Sequence, residues 1–302
     1  MKLLNYALST AKLAGEEVMK IRGGKDLDSR LKSDGTLVTK ADEASEEIFL
    51  NLGNVTGIPV LTEEMSKNRY QQEICKYNEA GFAWIVDPLD GTKEYGKGLD
   101  EFAISVALVN REKVILGVVY APAKNWMMYA VENKGAYKLD LKTETETETR
   151  IKTTDCTNLE DMTLLVSSSE LNKKAYPDYA RNLKRLGYSG NDPRIKEMGS
   201  TTLKTALIAA GEGDYNFTFT SWDQKKNKMR KTKEWDIAAT SLLVQEAGGM
   251  MTDCRGLPFV FGKFDPVNQY GIFTSNSQKN HHNLLQRVVP SANYLERIKE
   301  AI

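Results

Sequence analysis

Trp84-Ile85-Val86-Asp87-Pro88-Leu89-Asp90-Gly91-Thr92 is the stretch on which the reading of this chain turns. Its apolar start predicts a buried strand that delivers Asp87 at its end. Pro88 fixes φ and takes the chain out of the strand, and Asp90 follows three residues after Asp87, so a turn can bring both carboxylates to one point. Gly91 tolerates tight backbone geometry, and Thr92-Lys93-Glu94 opens a helix whose free amides suit a phosphate. Two acids beside such amides make sense if hard cations bridge them, and oxygen-only donors select magnesium over softer metals. A Pro-Asp-Gly-type turn is the plainer reading, but two acids and a threonine are more than a turn needs.

Outward from this stretch the periodicities alternate between helix and strand. Leu3, Leu4, Ala7, Leu8, Ala11, Ala14, Val18 and Ile21 recur at helical spacing until Gly23-Gly24, and a second helix is predicted over 41–52. Short strands are expected at 58–61 and 82–86, each ending in acids, and residues 102–138 read as an antiparallel meander. The repeat Thr143-Glu144-Thr145-Glu146-Thr147-Glu148-Thr149 holds nothing that anchors a core, so an exposed hairpin or loop is expected there. A domain boundary is placed at this repeat, giving units 1–150 (α+β, with most of the candidate metal ligands) and 151–302 (α/β). Beyond it, strands are expected at 163–166 and 215–220, and helices at 179–186, 201–210, 235–247 and from Gln278 onward. Strands and helices intermix in both halves, so the fold class is mixed α and β in layers.

Composition narrows the chemistry. The 302 residues carry 41 basic and 41 acidic side chains, a formal net charge of zero. That balance argues against a partner that is a nucleic-acid polymer, while leaving room for a small phosphorylated substrate, which needs only a local site. Cys75, Cys156 and Cys254 form no close pair, and no run is long and apolar enough to span a membrane, so a cytoplasmic protein is expected. The only two histidines, His281 and His282, are adjacent and read as a solvated surface pair. A histidine-ligated zinc site or a Ser-His-Asp triad would have to draw on that pair alone, so the chemistry is expected to rest on carboxylates.

Further acids recur at element ends. Glu63 and Glu64 follow a predicted strand and Asp236 stands at a predicted helix start, where a solvated pair and a helix cap are the plain alternatives to metal ligation. Asp42 likewise reads as a helix cap. Ser200 reads as a cap and Lys204, one turn later, as a solvated cation.

The run Asp87-Pro88-Leu89-Asp90-Gly91-Thr92 resembles the signature of the inositol-monophosphatase superfamily. Trp235-Asp236-Ile237-Ala238-Ala239 with Glu246-Ala247-Gly248-Gly249 resembles its second signature, Leu61-Thr62-Glu63-Glu64 its acidic strand end, and Leu37-Val38-Thr39-Lys40-Ala41-Asp42 its N-terminal Asp-bearing segment. Thr62 and Thr240 depart from residues common in relatives, and neither histidine falls where some relatives contact substrate. The resemblance implies a layered αβαβα sandwich of the sugar-phosphatase type and a lithium-sensitive, Mg2+-dependent phosphatase holding two or three ions. It further implies that Glu63, Asp87 and the Leu89 carbonyl hold one ion and that Asp87, Asp90 and Asp236 hold another. Thr92, supported by Asp42, would orient the attacking water, and the Gly91 and Thr92 amides would cradle phosphate. Two ions about 4 Å apart suit such chemistry by flanking phosphorus. Lys93-Glu94-Tyr95 and Gly199-Ser200-Thr201-Thr202-Leu203-Lys204 are similar to the branch that removes the 3'-phosphate of 3'-phosphoadenosine 5'-phosphate. Ser200 and Lys204 are therefore candidate substrate contacts, with Arg230 a further candidate cation. Inositol phosphates are the competing substrates, and a catalytically dead metabolite or cation sensor is the competing class. Against the sensor stands the presence of every acid and of Thr92.

Overall fold

A computed structural model describes residues 2–24, 29–31, 37–142, 145–172, 177–189, 192–223 and 228–288, the side chains of 177–178, 221–223 and 228–230 excepted. The Arg230 side chain, residues 143–144 of the Thr-Glu repeat and everything after 288 lie outside the described residues.

A seven-stranded sheet forms the first half. Its strands are β1 (Val60–Thr62), β2 (Phe82–Asp90), β3 (Ala103–Asn110), β4 (Lys113–Ala121), β5 (Trp126–Val131), β6 (Gly135–Asp140) and β7 (Thr147–Ile151), side by side in that order. The β1–β2 pair is parallel and every later pair antiparallel, so the predicted meander is present. Both faces of this sheet are covered, which is why its strands read as unbroken apolar runs. Along β3, Ile104, Val106 and Leu108 join one core cluster while Ala103, Ala107 and Val109 join the other. This is the period of two expected of a pleated strand buried on both sides.

The first cluster is closed by α1 (Lys2–Arg22) and α2 (Lys40–Thr56), which supply Ala7, Ala11, Ala14, Val18, Phe49 and Leu52. The second is closed by α3 (Lys67–Ala80), α6 (Thr201–Ala209) and α7 (Ala238–Glu246). Helices α6 and α7 also touch a second, five-stranded sheet of β8 (Leu164–Val166), β9 (Ile195–Glu197), β10 (Tyr215–Thr218), β11 (Met250–Thr252) and β12 (Ile272–Ser275). Its spatial order is β9-β8-β10-β12-β11. On its far side α5 (Pro177–Arg185) and α8 (Gln278–Leu285) help close a third cluster through Tyr179, Leu284 and their neighbours. Helix, sheet, helix, sheet, helix is the αβαβα layering expected. The remaining short helix, α4 (Thr92–Gly96), starts where β2 ends.

Two local expectations are corrected. Helix α3 was not foreseen: its fourteen residues are mostly polar and bury only Tyr70, Ile74 and Tyr77. His281 and His282 do not form a solvated pair. His282 is exposed, but His281 is fully buried, its Nε2 lying 2.8 Å from Thr252 Oγ1 and its Nδ1 3.0 Å from Ser275 Oγ. Phe273 packs edge to face with its imidazole ring.

Candidate active site

The parallel pairing of β1 with β2 sets Thr62 opposite Val86, so the next residues, Glu63 and Asp87, leave the sheet together. At that point the β2–β3 register shifts between Asp87 and Asp90, where Pro88 has no N–H to give. Asp87 Oδ1 accepts the Leu89 N–H at 3.0 Å, and Ser45 of α2 donates to the Pro88 carbonyl at 2.8 Å, fixing the turn from both sides. Asp236 arrives from the second half, just before α7. Ser105 Oγ donates to the Trp235 carbonyl (3.1 Å), Thr202 Oγ1 to the Asp236 carbonyl (3.0 Å) and the Lys233 N–H to Asp236 Oδ2 (2.8 Å). Helix α7 can lie this close to β4 because Gly117 faces it: a Cβ there would stand 2.6 Å from the Ala239 carbonyl oxygen.

These placements bring one oxygen from each of Glu63, Asp87 and Asp236 within 4.8 Å of one another. The electrostatics follow from crowding. Burial, and then the charges of Glu63, Asp90 and Asp236, push the Asp87 carboxyl well above its usual range. Burial, and then Asp90 and Glu63, do the same to Asp236. Three converging carboxylates that resist joint ionisation are a donor set for a hard cation, which would neutralise the repulsion. Near them Glu234 is also fully buried, and desolvation lifts it to about 7 although Lys263 and two backbone amides favour its charge.

Thr92 and Asp42 meet as expected. Thr92 Oγ1 lies 2.8 Å from Asp42 Oδ1 and 3.0 Å from the Leu89 carbonyl. Asp42 is not the cap of α2. Thr39 is, and Asp42 closes the capping box by accepting the Thr39 N–H (2.8 Å) and hydroxyl (2.6 Å) on Oδ2. The box spends one oxygen on the helix end and leaves the other for Thr92. Gly91 adopts φ +95°, and a Cβ there would come within 2.6 Å of the Glu101 carbonyl oxygen, so the position requires glycine.

Asp90 stands outside the 4.8 Å triplet, though its charge acts on Asp87 and Asp236. Its Oδ2 accepts the Ser200 hydroxyl and the Thr202 N–H, both at 2.6 Å. Ser200 also caps α6, its Oγ accepting the Leu203 N–H at 3.0 Å from a backbone with a positive φ of +51°. Lys204 is not solvated: it is 1% exposed, and the only hydrogen-bond partner of its side-chain nitrogen among the described residues is Ser167 Oγ, at the end of β8. The supporting residues Ser45, Ser105 and Thr202 were not foreseen. Single hydroxyls in apolar surroundings, such as Ser105 within Ala103-Ile104-Ser105-Val106, were the available signal.

Comparison with known proteins gives one consistent result. The profile of the family described as "Inositol monophosphatase family" matches residues 1–293. A 3'(2'),5'-bisphosphate nucleotidase CysQ of Escherichia coli O157:H7 is 32% identical over 260 residues, covering 85% of this chain and 92% of that protein. An inositol-1-monophosphatase of Rhizobium meliloti is 29% identical over 299 residues, covering 96% and 98%. Among solved structures, an IMPase of Thermotoga maritima superposes with a TM-score of 0.72 at 27% identity, covering 99% of this chain and all of that one.

Proposed function

The chain belongs to the inositol monophosphatase family, and on that premise we propose that it removes the 3'-phosphate of 3'-phosphoadenosine 5'-phosphate, releasing AMP and inorganic phosphate. That it is a phosphatase follows from the family; the nucleotide substrate is our reading. We assign Glu63, Asp87 and Asp236 to magnesium, with Asp90 and the Leu89 carbonyl completing the donors for two or three ions. Magnesium bound there would supply Lewis acidity and a nucleophile at neutral pH. The protein's own share begins at Thr92. With its hydroxyl proton directed to Asp42, Thr92 Oγ1 can accept a hydrogen bond from the attacking water and hold it in line with phosphorus. As the water oxygen bonds to phosphorus, the bond to the ribose 3'-oxygen breaks, and overall one proton of that water ends on the 3'-oxygen, so that AMP leaves with a free 3'-hydroxyl and the other proton stays with inorganic phosphate. The Gly91 and Thr92 amides are assigned to the phosphate oxygens.

The observation that carries the nucleotide reading is Lys204. It is a fully buried ammonium with a hydroxyl and no carboxylate against it among the described residues, one helical turn from the Ser200 that grips Asp90. A buried cation of this kind is costly unless an anion completes it, and the second phosphate of a bisphosphate is such an anion. Phosphate release with magnesium, measured side by side from 3'-phosphoadenosine 5'-phosphate, inositol 1,4-bisphosphate and inositol 1-phosphate, tests the reading. The adenosine bisphosphate is expected to give the highest kcat/KM. Lys204→Ala is expected to raise KM for it at least about 10-fold, and for the monophosphate far less. Better turnover of inositol 1-phosphate would overturn the substrate while leaving the chemistry in place.

A further inference from the structure

The second-half loop that follows Phe259 reaches back to the acidic centre through one buried carboxylate. Glu234, two residues before Asp236, accepts the Gly262 N–H at 2.7 Å and the Lys263 N–H at 3.1 Å, with Lys263 Nζ 3.5 Å away. Its own N–H donates to the Pro266 carbonyl (2.8 Å), and its carbonyl accepts the Ile237 and Ala238 N–H groups that begin α7. Lys263 Nζ also donates to the Val267 carbonyl (2.7 Å) and to Asn268 Oδ1 (3.0 Å). The Lys263 carbonyl in turn accepts the hydroxyl of Tyr70 at 3.1 Å. Tyr70 lies in the first turn of α3, the helix capped by Ser66 immediately after Glu63-Glu64-Met65, and its ring packs edge to face on Trp235. Gly262 makes the approach possible: at φ +75° it lies so close to Tyr77 that a Cβ would stand 2.4 Å from the ring.

We propose that Tyr70, Lys263 and Glu234 are positioning residues that form a clasp fixing the separation of the Glu63 and Asp236 carboxylates. The inference rests on the reading of these acids as magnesium ligands. Glu63 and Asp236 come from segments far apart in sequence and repel one another, so their convergence needs an external constraint. Chain continuity joins Glu63 to Tyr70 and Glu234 to Asp236. The bridge between those two pieces is Tyr70 Oη to the Lys263 carbonyl, and Lys263 to Glu234. Displacing either ligand by a fraction of an ångström weakens ion binding without touching a ligand.

The test uses the full chain and two hydroxyl deletions on the same helix. Tyr70→Phe keeps the ring on Trp235 and removes only the bond to Lys263. Tyr77→Phe removes a hydroxyl that accepts the Glu112 N–H near the other end of α3 and borders Gly262 of the same loop, while leaving the Tyr70–Lys263 bond in place. Tyr70→Phe is expected to raise the magnesium concentration for half-maximal phosphatase activity on the order of 10-fold, with kcat at saturating magnesium within about 2-fold. The Mn2+ dissociation constant measured by calorimetry should shift likewise, and Tyr77→Phe should leave both unchanged. Glu234→Gln, which keeps an acceptor for the loop amides but removes the charge facing Lys263, should move them in the same direction as Tyr70→Phe. Unchanged metal dependence in Tyr70→Phe and Glu234→Gln, or an equal shift in Tyr77→Phe, would overturn the clasp. Asp87→Asn separates the two levels: if it too leaves Mn2+ affinity unchanged, the assignment of the metal ligands falls, and the clasp with it.

Discussion

Asp87 is held in a position that costs the fold energy for as long as no cation is present. Its carboxyl is buried against Glu63, Asp90 and Asp236, and its pKa is raised, so the ionised form is disfavoured in the folded chain relative to the unfolded one. The sign is therefore opposite to that of a salt-bridged aspartate: the stabilising state is the protonated one, and it is lost as pH rises through the folded pKa. Asp87→Asn keeps an oxygen that can accept the Leu89 N–H and removes the charge. In a chelator at neutral pH its Tm is expected to exceed that of the parent by about 2–4 °C for each kcal/mol of relieved repulsion, while turnover with magnesium disappears. A lower Tm in Asp87→Asn would show that the carboxylate is structurally satisfied without an ion. At Thr92, replacement by valine keeps the β-branched shape and deletes the hydroxyl that meets Asp42. It should cut kcat on the order of 100-fold or more, and Thr92→Ser should retain most of it. Nearly full activity in the valine variant would remove Thr92 from the water-positioning role.

At the scale of elements, the site is a meeting of ends. Strands β1 and β2 present Glu63 and Asp87, α2 braces them through Asp42 and Ser45, and α6 and α7 bring Ser200, Thr202 and Asp236. Contact between α7 and the first sheet passes through Gly117, so Gly117→Ala should push the helix outward. A loss of about 1–3 kcal/mol is expected, read as a lower Tm, together with reduced magnesium affinity, because Asp236 immediately precedes that helix. A fully stable, fully active Gly117→Ala protein would mean the helix can shift without moving Asp236. What was legible in the sequence follows the same division. Strands buried on both faces stand out with the acids at their ends, because an apolar run that stops abruptly at Asp-Pro or Thr-Glu leaves the core at a single residue. Helix α3 stayed hidden because it buries three side chains on a polar background, too few to set a period. Glu234 stayed hidden as well, because a glutamate beside a Trp-Asp pair looks solvated until the residues near 262 fold back over it. Long-range closure of that kind leaves no local pattern.

For the molecule as a whole, the second sheet holds a titrating group in its core. Burial, and then the neighbouring His282, lower His281 from its ordinary 6.5 to about 4. The folded chain thus refuses a proton that the unfolded chain accepts. Stability is complete above about 6.5 and is lost as pH falls toward about 4, by on the order of 3 kcal/mol. Thermal melts between pH 7.5 and 5 should show this slope, and His281→Asn should flatten it; an unchanged slope would exclude His281 as its source. At the edge of the first sheet, β7 ends the seven strands with the Thr147-Glu148-Thr149 part of the Thr-Glu repeat. Glu146 is tied to Lys12 of α1 at 2.7 Å, and Glu148 accepts the hydroxyl of Tyr129 from within the sheet. An outer strand with its N–H and C=O groups turned to water would ordinarily template the addition of a foreign strand. Here an incoming copy of the same strand would have to displace Lys12 from Glu146 and Tyr129 from Glu148. A segment with nothing to offer a hydrophobic core thereby acts as a barrier to fibril growth along the sheet.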